Sequence, residues 1–173
     1  MLNLLISGDP EKWKLNTDTF EHDRCLTEYI MPELRTRFGL LGDDEIAQLI
    51  QLPAIFAYEQ SNHKDALIGR IKHITKRQQN VKIDYELTGE RIAFDVFSSL
   101  ESLLDIGKWE LNRTHWTVKN VDIADAEPYF DCKRGRQPTV FISYSWTPPE
   151  NQRSVFNVSI MGLNPSPLGD TFR

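Results

Sequence analysis

Between residues 109 and 116 the chain places Trp109, Asn112, Arg113, His115 and Trp116. Two indoles, an amide, a guanidinium and an imidazole in so short a stretch can stack on a nucleobase and hydrogen-bond its edges. If the segment is a strand, Trp109, Leu111, Arg113 and His115 share one face, and Asn112, Thr114 and Trp116 share the other. One pocket cannot then hold all five. The competing reading has the tryptophans filling the core and Arg113 pairing with an acid. A second cluster is basic: Arg70, Lys72, His73, Lys76, Arg77 and Lys82. From 70 to 82 there are five formal positive charges and no acid. Such a strip on one sheet face can track a phosphate backbone, and it equally suits an edge strand kept soluble by lysine and arginine. It lacks interleaved aromatics, so nucleic acid is not favoured.

Weaker chemistry is scattered elsewhere. Ser7-Gly8-Asp9-Pro10 follows an apolar run and reads as a tight turn. With a single glycine it is a poor phosphate cradle. Ser143 and Ser145 have no His or Asp partner at a recognisable spacing, so no catalytic residue is assigned. Cys25, Cys132, His22, His63, His73 and His115 form no CxxC or HxxxH pattern; only His22 and Cys25 stand at i, i+3. No metal and no cofactor is expected.

The chain must build these groups into a globule. It has 173 residues, 40% hydrophobic and 26% charged, with 20 basic and 25 acidic residues and a formal net charge of -5. That is one domain or slightly more, able to bury roughly 70% of its unfolded surface. An acidic balance disfavours non-specific nucleic-acid binding. No apolar run is long enough to span a membrane. Met1–Gly8 has neither a basic n-region nor a cleavage site, so the expected location is cytoplasmic.

Leu2–Ser7 reads as a buried strand. Residues 20–27 read as extended, followed by a short helix with Pro32 in its first turn and Gly39 at its end. Asp43-Asp44-Glu45 opens the next helix, with Ile46, Leu49 and Ile50 as its buried face. An apolar run over 53–58 and loose alternation over 66–74 precede the clearest strand. There Val81, Ile83, Tyr85 and Leu87 alternate with Lys82, Asp84 and Glu86. Gly89 is expected to turn the chain into another strand over 92–97. Ser98 with Glu101 predicts a capping box for a helix to Ile106, stopped by Gly107. A strand over 110–119 and a helical turn over 121–129 follow. The fold class is therefore α+β: a small antiparallel sheet or partly closed barrel with short flanking helices. Residues 1–130 form this module, 131–138 a linker, 139–153 the start of a separate unit that opens with a strand over 139–146, and 154–173 an irregular tail.

Thr139-Val140-Phe141-Ile142-Ser143-Tyr144-Ser145-Trp146 resembles the first strand of a TIR domain. That family opens with an aromatic-Ile-Ser-Tyr-Ser pattern on a flavodoxin-like parallel sheet. Bacterial members often carry the domain behind a separate N-terminal module, and the order here is similar. The resemblance implies a signalling or defence protein. Many TIR domains cleave NAD with a glutamate well downstream of this strand, and no position here matches it. The stretch after Gln152 also departs from the family's first helix. The expectation is thus a non-catalytic binding or sensor module with a truncated TIR start, acting through a protein partner or self-association. The alternatives are a small nucleotide- or nucleic-acid-acting protein using the Trp109–Trp116 cluster, and an oligomerisation module.

Overall fold

The computed structural model describes residues 1–132. The chain divides into two units, Met1–Gln137 and Pro138–Arg173. The TIR-like strand, Ser143, Ser145 and the tail lie outside the described residues.

Leu2–Ser7 forms β1, and all six of its residues are buried. A strand covered on both faces needs apolar side chains at nearly every position, which its sequence supplies. Thr17–Glu21 is β2. Two seven-residue helices follow: α1, Pro32–Phe38, with proline at its start, and α2, Asp43–Leu49, with three acids in its first turn. Next come β3 (Pro53–Tyr58), β4 (Ala66–Lys76) and β5 (Asn80–Ile92). Helix α3 spans Phe94–Ser99, β6 spans His115–Lys119, and the two-residue β7 spans Asp131–Cys132.

The protein is mixed α+β. Six strands lie in the order β2-β5-β4-β3-β1-β6, and β7 pairs with the far end of β5. The expected antiparallel sheet is corrected at its centre, where β1 and β3 run parallel from Asn3↔Ala54 to Ser7↔Tyr58. The reason is topological: β2, α1 and α2 intervene between them, long enough for a crossover that returns the chain in the same direction. The run β3-β4-β5 is an antiparallel meander, as the turn signals predict.

Both faces of the sheet are packed. One carries Leu5, Phe56, Ile71, Ile83 and Trp116 against Trp13, Phe20, Phe38 and Leu49. The other carries Leu4, Ile6, Ile55 and Ile68 against Phe97, Leu100, Leu104 and Leu111. The helices are too short to hold on propensity, so this packing stabilises them. Beyond β2, the Leu26 amide donates to the Trp116 carbonyl at 2.7 Å, and Cys25 bridges Trp116 in parallel sense. The chain leaving one edge strand thus covers the other.

Three local expectations are overturned. Gly89 does not turn the chain. It takes φ +87° inside β5, where the register against β4 jumps from Leu67↔Arg91 to Gly69↔Leu87. The extra residues bulge out and the strand continues. The strand expected over 92–97 is mostly α3, because the Asp65 carboxylate accepts from the Phe94 amide at 3.2 Å and caps a helix start there. Ser98 therefore lies inside a helix rather than at a cap, and its buried hydroxyl has no partner among the described residues. Finally, the first two residues of the 131–138 linker form β7, pairing Asp131 with Arg91 and Cys132 with Glu90.

Candidate functional site

The parallel strands β1 and β3 end side by side, and β6 begins beside them. Ligands favour the carboxyl ends of parallel strands, where the chain leaves through loops. Here the Glu59 amide donates to the Ser7 carbonyl at 2.8 Å. The Gly8 amide donates to Thr114 Oγ1 at 2.8 Å, and the Thr114 hydroxyl donates to Glu59 Oε1 at 2.7 Å. A Cβ on Gly8 would stand 2.8 Å from that carboxylate oxygen, so a side chain there would push the Glu59 carboxylate away from Thr114. The Ser7-Gly8-Asp9-Pro10 segment is the tight turn expected, with Ser7 Oγ accepting from the Asp9 amide at 3.1 Å.

Beside this junction lies a groove of about 430 Å³, lined in part by Glu21, Arg24, Glu59, Asn112, Arg113 and Thr114. Arg113 grips Glu28 in a fork: Nη2 donates to Oε1 at 2.7 Å and Nε donates to Oε2. Arg24 Nη1 approaches the same carboxylate at 3.5 Å. The Arg113 hydrogen bond holds the Glu28 carboxyl below the usual range, and Glu28 raises the Arg113 guanidinium in return. A guanidinium has more N–H donors than this pairing consumes.

The Trp109–Trp116 cluster does not converge. Glu110–Asn112 is a turn of 3-10 helix, and only His115 and Trp116 belong to β6. Trp109 is 69% exposed, with φ 70°. Asn112 and Arg113 line the groove. His115 is fully buried, and Nδ1 lies 2.7 Å from the Arg113 carbonyl while Nε2 lies 3.2 Å from Glu110 Oε1. Trp116 fills the opposite face, where its Nε1 donates to Asn3 Oδ1 at 3.1 Å. His115 is therefore part of the interior rather than a pocket residue beside Arg113. The five residues are thus divided between the surface, the groove and the interior.

The interior it joins is polar. Lys119 is buried on the same face of β6 as His115, and its Nζ donates to Glu110 Oε2 at 2.8 Å, the Asp105 carbonyl at 2.6 Å and the Tyr29 carbonyl at 3.0 Å. Three acceptors satisfy all the donors of an ammonium. Glu110 Oε2 also accepts from the Gly107 amide at 2.7 Å. Sequence reasoning missed Glu110, Lys119, Glu28 and Glu59. A charged residue flanked by Trp109 and Leu111 was the visible sign for Glu110; the others had none nearby.

The basic strip does not act as an open field of charge. Lys72 pairs with Glu86 at 3.3 Å and Lys82 with Asp84 at 2.8 Å. Lys76 Nζ donates to the Leu40 carbonyl at 2.7 Å, and Arg70 faces Glu86 across the sheet. Arg77 is exposed in the β4–β5 turn. The acids that answer the strip sit on β5 just past the window over which the cations accumulate.

Among the described residues no group of His, Cys, Asp and Glu is placed to hold a metal ion, and no helix is long and apolar enough to cross a membrane. No family model, no curated protein and no solved structure matches the chain. The geometry therefore stands by itself: a mixed α+β sheet domain with a polar groove at the ends of its parallel strands.

Proposed function

We propose that residues 1–132 are a non-catalytic recognition module whose ligand enters the groove at the ends of β1 and β3. The carrying observation is the juxtaposition of the Arg113–Glu28 fork with the Glu59–Thr114–Gly8 junction, both built from residues distant in sequence. A guanidinium with donors to spare suits an anionic group. Carboxylates at Glu21 and Glu59 suit the hydroxyls of the same small molecule. The Cys25–Trp116 bridge supports reading the curled sheet as a partly closed barrel, a rigid frame for such a site.

The TIR-like strand at 139–146 supports placing this module in a bacterial signalling or defence protein, where ligand occupancy would control a partner or a second copy. The test is a thermal-shift series on the full chain with ribose 5-phosphate, inorganic phosphate and NAD. Ribose 5-phosphate should raise the melting temperature of the wild type and not of Arg113→Ala, with NAD recovered intact. Turnover of NAD by this chain, or an Arg113→Ala protein that responds like the wild type, would reject the proposal.

A further inference from the structure

We propose that the groove takes a nucleoside monophosphate whose base stacks on Trp109; this deepens the reading above and rests on it. Trp109 is the most exposed of the described tryptophans, and its backbone sits at φ 70°, ψ -1°, a left-handed conformation it shares with seven other non-glycine residues of the described region. What sets it apart is its exposure, and its surroundings are explicit. The next residue, Glu110, is clamped in the interior by His115, Lys119 and the Gly107 amide. The Asn112 amide then closes the turn on the Trp109 carbonyl at 3.0 Å. A buried charge network therefore holds an indole out in solvent, where the hydrophobic effect alone would draw it in.

The space beside the indole suits a planar heterocycle. Lys108 Nζ covers one ring face at 5.6 Å from the centroid. A hollow of about 160 Å³ adjoins Trp109, lined by Gln60, Glu101, Lys108 and Asn112 among others. Carboxamides carry a donor and an acceptor side by side, the pattern that reads a base edge. Asn112 also lines the Arg113 groove, so the two spaces meet at one residue. A base on Trp109, ribose hydroxyls toward Glu59 and phosphate toward Arg113 use both at once. The net charge of -5 and the paired basic strip favour a single nucleotide over a nucleic-acid strand.

The experiment is calorimetric titration of the full chain with AMP, GMP, CMP, UMP, adenosine and ribose 5-phosphate. It uses the wild type, Trp109→Ala, Trp109→Phe and Arg113→Ala, with folding checked by circular dichroism. At least one monophosphate should bind more tightly than adenosine or ribose 5-phosphate. Trp109→Ala should weaken it by roughly 5- to 150-fold, the loss of one stacked base, and Trp109→Phe should restore most of that. If ribose 5-phosphate binds as well as every monophosphate and only Arg113→Ala matters, the stacking inference falls and the groove reading stands. If none of these compounds binds, both fall. If Trp109→Ala abolishes self-association and leaves nucleotide affinity unchanged, Trp109 belongs to a protein interface and the inference is overturned.

Discussion

Glu110→Ala should be among the most damaging single substitutions in the described residues. The carboxylate is fully buried and is the sole acidic partner of Lys119 among the described residues; the Lys119 side chain is itself 3% exposed. Without it the ammonium keeps only the Tyr29 and Asp105 carbonyls. The Gly107 amide loses its acceptor as well, and His115 Nε2 loses the carboxylate oxygen beside it. Stranding one member of a buried ion pair costs about 3–5 kcal/mol, which in a chain of this size lowers the melting temperature by roughly 6–20 °C. Glu110→Gln keeps the shape and removes the charge, so it should lose about 1.5–3 kcal/mol. The pair Glu110→Leu with Lys119→Met removes both charges together and should recover much of the loss, because apolar replacement of a buried pair is often neutral. Urea unfolding followed by circular dichroism measures all of these. A loss below about 1 kcal/mol for Glu110→Ala, or a double variant that loses the full sum of its singles, would refute the reasoning.

Three further expectations use the same assay. Trp109→Gly should be more stable than Trp109→Ala by about 1 kcal/mol, because glycine accepts φ 70° without penalty; equal stabilities would mean that the turn is unstrained. Gly69→Ala would set a Cβ 2.2 Å from the Glu86 carbonyl oxygen, pushing β4 from β5 at a cost of about 1–3 kcal/mol; a neutral result would place that backbone contact elsewhere. Burial pushes the Cys25 thiol from 9.0 up to about 12, with the Asp23 charge adding to it. The native state thus resists ionising this thiol more than the unfolded chain does, so its stabilising effect is complete below pH 9.0 and is lost as pH rises toward about 12. Comparing the wild type with Cys25→Ala across that window isolates the effect, and identical slopes would refute it.

Much of the fold was legible where one residue's neighbours in sequence are also its neighbours in space. The apolar run 2–7, the acids at 43–45 and the alternation at 81–87 each announce their element. The errors arise where a distant residue decides. Asp65 starts α3 from 29 positions away, which no local pattern around Ser98 can reveal. Trp13 lies in the loop between β1 and β2, and nothing local shows that its Nε1 donates to the Ala57 carbonyl at 3.0 Å or that its ring packs on Phe20, Phe56 and Tyr85. The site was legible only in part for the same reason. Asn112 and Arg113 were visible as polar residues in an aromatic stretch. Glu28 and Glu59 meet them only after the crossover brings β1 and β3 together. His115 carries the chemistry of a site, but its parity on β6 turns it toward Glu110 and the interior.

The place of β1 in the sheet also bears on how the chain is made. Its hydrogen-bonding neighbours are β3 and β6, so β1, the first of the described strands to be synthesised, is completed only when residues 115–119 arrive. At ordinary elongation rates that interval is roughly 5–20 s. Throughout it, a largely apolar segment waits beside a half-built sheet with an open edge, the state in which chaperone capture or mispairing with another nascent chain competes best.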